Sequence, residues 1–266
     1  LQTTFGLRAR AYRIFPLFRE GDIERSDPNE FTSVPVFQRL FPNYISLNFS
    51  PLPDIDVAAE YWVPDSHSVA SRYKITNLSK IHRKLNIDWV CQLSPTEGQR
   101  MAPAKLQATT FLSAQTSELA RVFFLTGGPT IGTGAYPSLT LDLELEPEKT
   151  LETIWAHSAL ENTEEAFNKA RSIASQNWEA ENSHNEMINA GQIEIYTGDP
   201  DWDAAFLLTQ KVALGLFIQS KNQLPYPSLV QNRQPDQGYS LRGDGSDYNH
   251  LWNGQSPLET FFLADI

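Results

Sequence analysis

The sequence predicts an antiparallel β-sandwich on its N-terminal side, followed by α-helices. Three observations lead there. Apolar and polar residues alternate strictly over 85–93 (LNIDWVCQL) and again over 139–145 (LTLDLEL), the period of a strand with one buried face. Up to about residue 157, such stretches are separated by turn residues and never by a helical pattern, which implies antiparallel sheets stacked face to face. Beyond that point the apolar spacing lengthens to that of a helix.

Each element has its own signal. Further strands are expected at 71–75, 106–112, 121–125 and 151–157. Thr126-Gly127-Gly128-Pro129 and Gly132-Thr133-Gly134 supply turns. Ala166, Phe167, Ala170, Ile173, Ala174 and Trp178 recur at helical spacing, so one amphipathic helix is expected over about 162–182. The polar stretch 181–190 is expected to loop out. Asp199-Pro200-Asp201 opens the next helix, with Asp199 as N-cap and Pro200 in the first turn. This helix is expected to bury Trp202, Ala205, Phe206, Val212, Ala213, Leu216 and Phe217 and to end near Ser220. Ser256-Pro257-Leu258-Glu259 is a capping box that starts a last helix at about Pro257. No glycine, cationic last turn or proline closes that helix, so the chain reads as a piece of a longer one. The expected organisation is a sandwich over 1–157, a connecting helix and linker over 158–190, and the start of an all-helical domain over 191–266.

Composition narrows the function. A net charge of −11 without clustered Lys and Arg argues against nucleic acid. No apolar run approaches the roughly 18 residues that would mark a membrane helix. The single cysteine, Cys91, rules out an internal disulfide and a cysteine-rich metal site; it alternates with apolar neighbours and reads as a small buried hydrophobe. Its isolation is compatible with a cytoplasmic setting. Asp199, Asp201 and Asp203 resemble the start of a calcium loop, but Ala204 stands where the turn glycine is needed and Gln210 where the bidentate acid is needed. The glycines of 127–134 lack the order and the Lys-Ser/Thr ending of a phosphate loop. No two of the five histidines share a metal-ligand spacing, and no nucleophile elbow is present. No metal and no redox cofactor are therefore expected. Asn48-Phe49-Ser50 and Asn77-Leu78-Ser79 fit the glycosylation acceptor pattern.

The segment 236–255 concentrates ligand-binding chemistry. Its glycines, among them Gly243, Gly245 and Gly254, permit tight turns and close backbone approach. Tyr239, Tyr248 and Trp252 offer flat faces suited to stacking on a sugar ring. Arg242, Asp244, Asp247, Asn253 and Gln255 offer directional partners for hydroxyls. A surface loop whose aromatics pack on neighbouring helices remains the alternative. Asp244 and Asp247, three residues apart, read as turn formers or hydroxyl ligands, and Glu259 belongs to the capping box.

The order of sandwich, connecting helix and helical domain, with a Trp-centred aromatic loop, resembles the (α/α)6-barrel glycosidases of the glucoamylase and glycogen-debranching type. Members carry an aromatic-x-aromatic-x-Trp-x-Arg-Asp motif in the first inter-helix loop. Here the stretch is Tyr248-Asn249-His250-Leu251-Trp252-Asn253-Gly254-Gln255: Trp252 matches, while Gly254 and Gln255 replace the Arg-Asp pair. The resemblance implies that the helices begin an (α/α)6 toroid and that the ligand is a carbohydrate. It also implies hydrolysis by a pair of carboxylates, inverting as in glucoamylase relatives, with the catalytic acids beyond residue 266. The rest of the barrel then comes from the same longer chain or from a second chain. A non-catalytic carbohydrate-binding or scaffolding sandwich is the other function the sequence leaves open.

Overall fold

The computed structural model describes residues 2–3, 9–41, 43–65, 67–95, 98–106, 108–116, 119–190, 193–215, 217–218 and 228–229. The chain divides into two compact units, Leu1–Leu40 with Tyr44–Asn177, and Phe41–Asn43 with Trp178–Ile266.

The first unit is the expected sandwich. Its strands begin with β1 (Gln2–Thr3), β2 (Ala9–Glu20), β3 (Ile23–Arg25), β4 (Ser33–Phe41), β5 (Tyr44–Leu52), β6 (Ile55–Asp65) and β7 (Ser68–Asn77). Then come β8 (Arg83–Pro95), β9 (Ala102–Leu106), β10 (Thr109–Thr116), β11 (Leu119–Leu125), β12 (Thr130–Ile131), β13 (Ser138–Leu145) and β14 (Thr150–Leu160). Helix α1 (Thr163–Ala174) follows. One sheet runs β1-β2-β8-β13-β12, with β3 beside β2; the other runs β4-β5-β6-β7-β14-β11-β10-β9. The pairings that build both are antiparallel.

The alternation read from the sequence fixes the register. Leu139 lies opposite Trp89 and Leu141 opposite Ile87, so the apolar members of β13 and β8 share the inner face. Phe123 and Leu125 of β11, Tyr73 and Ile75 of β7, and Trp155 of β14 belong to the same core. Trp89 meets Tyr73 edge-on at 4.7 Å between ring centres and tilts against Trp155 at 5.7 Å. Such aromatic pairs add about 0.5–1.5 kcal/mol each beyond the area they bury. Cys91 is fully buried within this core, as its neighbours predict.

Turn geometry differs from expectation at one place. The single strand expected over 106–112 is two strands, β9 and β10, because Ala108 adopts left-handed backbone at φ 67° and reverses the chain between them. Between β13 and β14, Pro147 sits at the second position of a turn whose third residue, Glu148, has φ 56°; Lys149 N donates to Glu146 O at 3.2 Å. Asn77 rivets the neighbouring loop. Its side-chain nitrogen donates to Ile81 O at 2.7 Å, Leu145 O at 3.0 Å and Glu146 O at 3.3 Å. Its side-chain oxygen accepts from Ser79 N and Oγ.

Helix α1 is capped by Asn162, whose Oδ1 accepts from Glu165 N at 2.9 Å. It buries Ala166, Phe167, Ala170, Ile173 and Ala174. Phe167 packs on Phe111 at 4.8 Å and on Phe124 at 5.9 Å, so α1 seals the face of the second sheet that points away from the sandwich core. The helix expected to run on to 182 stops here instead. Ser175 ends it by bonding its N–H and Oγ back to Arg171 O and Ser172 O.

In the second unit, residues 181–190 do not loop out. They belong to α2 (Trp178–Ala190), a polar helix whose buried positions among the described side chains are Trp178 and Asn185. Asn43 Nδ2 donates to Asn185 Oδ1 at 3.2 Å, so an amide takes the place an apolar residue usually holds. Helix α3 (Pro200–Gly215) begins where predicted: Asp199 Oδ1 accepts from Asp201 N at 2.9 Å, and Asp199 O accepts from Asp203 N at 3.0 Å. It ends at Gly215, short of Ser220, and is followed by the short pair β15 (Phe217–Ile218) and β16 (Ser228–Leu229). The burial expected along α3 is not found at Trp202, which is 61% exposed, nor at Ala205 and Phe206. The side chains of Val212, Leu216 and Phe217 lie outside the described residues. Among the described residues no helix is long and apolar enough to cross a membrane.

Candidate functional site

The residues with the strongest ligand chemistry in the sequence are Tyr239, Arg242, Asp244, Asp247, Tyr248, Trp252, Asn253 and Gln255. They lie outside the described residues, as does the capping box Ser256–Glu259. What the structure describes is a segment that precedes them in the sequence, 193–215. Residues 193–199 are stitched along α3 at two points. Gln210 pairs both amide groups with the backbone of Ile193, receiving from its N–H at 2.9 Å and donating to its carbonyl at 2.8 Å. Asp203 Oδ1 accepts from Thr197 N and Oγ1, each at 2.7 Å, which holds its carboxyl below the usual carboxylate range. Asp199 and Asp203 are thus occupied in capping and strapping, and the calcium-like spacing has a structural explanation. Among the described residues no group of three His, Cys, Asp or Glu side chains is placed to hold a metal ion.

Two polar clusters within the sandwich unit were not singled out by the sequence. The first spans β5, β6, β7 and β14. Tyr44 Oη donates to Glu60 Oε1 at 2.6 Å, Arg72 Nε donates to Glu60 Oε2, and Arg72 reaches Glu152 at 3.7 Å. Register places Glu60 directly opposite Arg72, which makes the ion pair a consequence of strand pairing. Burial, then the bond to Glu60, pushes the Tyr44 phenol well above its ordinary value, so it does not serve as an acid near neutrality.

The second cluster lies between the sheets: Tyr12 on β2, Cys91 on β8, Arg121 on β11 and His157 on β14. Tyr12 and His157 rings tilt together at 4.9 Å. Burial first, and the Arg121 charge second, pull His157 down to about 3, so the imidazole is neutral at ordinary pH. Burial raises the Tyr12 phenol and the Cys91 thiol. None of these four residues is more than 4% exposed, so a substrate has no access to them and their work is structural. The sequence signals for the second cluster were Cys91, read as a small buried hydrophobe, and Arg121, a charged residue at the start of the apolar run 121–125; Arg72, between Ser71 and Tyr73, carried none.

No family model matches the chain, and no curated protein matches it. Among solved structures, its fold is similar to that of a bacterial glucoamylase complexed with acarbose, with a TM-score of 0.50 and 10% identity over 65% of this chain and 30% of that one. The likeness is one of fold. The glucoamylase-type resemblance expected from the sequence is thus found in the backbone, as a sandwich followed by helices. Weaker likenesses reach a kojibiose phosphorylase from the human microbiome (TM-score 0.40, 12% identity, 77% of this chain and 27% of that one). They also reach an α-mannosidase from Bacteroides thetaiotaomicron in complex with mannoimidazole (TM-score 0.37, 10% identity, 80% and 29%). This chain spans no more than 30% of the length of these three.

Proposed function

We propose that this chain is the N-terminal part of a glycoside hydrolase acting on an oligo- or polysaccharide, with an α-glucan of the debranching type as the first substrate to test. The observation that carries the reading is the fold shared with the glucoamylase over 65% of the chain. The loop 236–255 then lines one wall of the sugar site. Tyr239, Tyr248 and Trp252 stack on sugar rings; Arg242, Asp244, Asp247, Asn253 and Gln255 bind hydroxyls. Residues 191–266 begin the helical barrel, and the rest of it comes from the same longer chain or from a second chain. The catalytic carboxylates lie outside this sequence, and hydrolysis needs no redox cofactor.

Calorimetric titration with acarbose and with malto-oligosaccharides tests the reading. Trp252→Ala is expected to weaken binding at least about tenfold, or ~1.4 kcal/mol. Affinity unchanged by that substitution would remove the loop from the site and favour a sandwich that binds sugar without catalysis.

A further inference from the structure

We propose that β4 is a docking edge for a second copy of this chain: two β4 strands pair antiparallel about Phe37 and join the larger sheets of two molecules edge to edge. The inference stands apart from the sugar reading. It starts from how the two sheets end. β1 and β12, at the ends of the smaller sheet, are two residues each among the described residues. β9, at one end of the larger sheet, is five residues long and carries Pro103 and Lys105. Short strands, proline and lysine are the usual means by which an open edge is kept from pairing. β4, at the other end, is nine residues long. On it Val34, Val36, Phe37 and Leu40 are 55%, 53%, 69% and 46% exposed. Neighbouring residues of a strand point to opposite faces, so Val36 and Phe37 show that both faces of β4 are uncovered.

Charge and sequence select a second copy as the occupant. The chain carries 32 acidic residues, yet 31–53 holds none, and Arg39 is the one charged residue in it. Two molecules of net charge −11 repel each other least where they meet along this ribbon. Phe37 is the middle residue of Ser33–Phe41, so a twofold axis through it pairs the whole strand with itself. Phe37 then faces its own equivalent, Val34 faces Leu40, Val36 faces Gln38 and Pro35 faces Arg39. Apolar and aromatic cross-strand pairs stabilise a sheet, and the two Arg39 side chains, each opposite a proline, avoid the like-charge pairing that opposes it. An axis at Arg39 would set the two cations face to face and leave 33–36 unpaired. Pro35 gives no N–H, which weakens the joined ladder, and a nine-residue seam is small beside a stable interface. The association is therefore expected to be reversible and in the micromolar range.

Sedimentation equilibrium of the chain over about a hundredfold range of concentration tests this. The mean mass is expected to rise from 30.0 kDa towards its double and to stop there, because a twofold interface closes on itself. Phe37→Lys sets two cations face to face at the axis and should weaken association at least about tenfold. Phe37 is exposed, so thermal unfolding of that variant at low concentration should match that of the unaltered chain. Ile131→Lys, on the two-residue edge β12, should leave association unchanged. For the register, a chain carrying Val36→Cys is mixed with one carrying Gln38→Cys and oxidised. The mixed dimer should form in excess of either self-linked one, while the buried Cys91 stays reduced. A chain that is monomeric throughout overturns the proposal; Pro35 and Arg39 would then suffice to keep the edge closed. Association that survives Phe37→Lys, growth beyond the dimer, or self-linked products equal to the mixed one overturns it too.

Discussion

Replacing His157 with leucine should change how stability depends on pH more than how large it is at neutrality. Burial, then the neighbouring Arg121, holds the folded-state pKa near 3, whereas the free side chain titrates near 6.5. Between these values the unfolded chain binds a proton that the folded chain refuses, so stability rises with pH across that window. The contribution is complete above about pH 6.5 and is lost as the pH falls towards 3. Each unit is worth about 1.36 kcal/mol, so at pH 4.5 the penalty is about 2.7 kcal/mol, approaching about 5 near pH 3. That is a large share of the 5–15 kcal/mol typical of whole domains. The assay is urea unfolding at pH 7.0, 5.5 and 4.5, read by the fluorescence of the buried core tryptophans Trp89 and Trp155. Carboxylates contribute their own acid slope, so the quantity that matters is the difference between native chain and variant. His157→Leu should lose about 2.7 kcal/mol less than the native chain between pH 7.0 and 4.5. Equal losses would show that His157 protonates without cost in the folded state, and the account of its burial would be wrong.

Glu60→Ala should destabilise the sandwich by about 3 kcal/mol in the same urea assay, since it strips the buried Arg72 of its opposite carboxylate and Tyr44 of its acceptor. A loss under about 1 kcal/mol would mean that water takes over the role. Gly132→Ala should cost about 1–3 kcal/mol, because a methyl group there collides with the Ser138 hydroxyl and stands 3.1 Å from Thr140 Oγ1. Adding Ser138→Ala should recover part of that loss in thermal unfolding; no recovery would place the strain in the backbone.

The sandwich was legible where burial is one-sided. Period-two alternation in 85–93 and 139–145 states both the strand and the face it buries, and the two segments turn out to be paired neighbours. The α3 cap was legible because Asp199 acts on amides two and four residues away, a local relation that sequence displays directly. The break at 175–177 was not legible. No glycine or proline marks it; a serine ends α1 by folding its own hydroxyl back on the helix. Helix α2 was missed because its inward positions include Asn185, which a periodicity count scores as polar. Inward polar residues such as Arg121 and His157 escape for the same reason: alternation tells which side a residue faces, not whether a buried partner awaits it. The site residues 239–255 were read from chemistry and resemblance, and their placement rests with the experiments above.

The nitrogen that Asn77 gives to three carbonyls is also the atom to which a glycan would be attached at Asn77-Leu78-Ser79. In the finished fold that nitrogen is fully buried, while Asn48, in the other acceptor triplet, stands exposed on β5. A eukaryotic secretory pathway modifies acceptor sites while the chain is still emerging. Made there, the protein would face a race at a single atom, between sugar transfer and the closing of the 77–81 loop against 145–146. A bacterial host sets no such race.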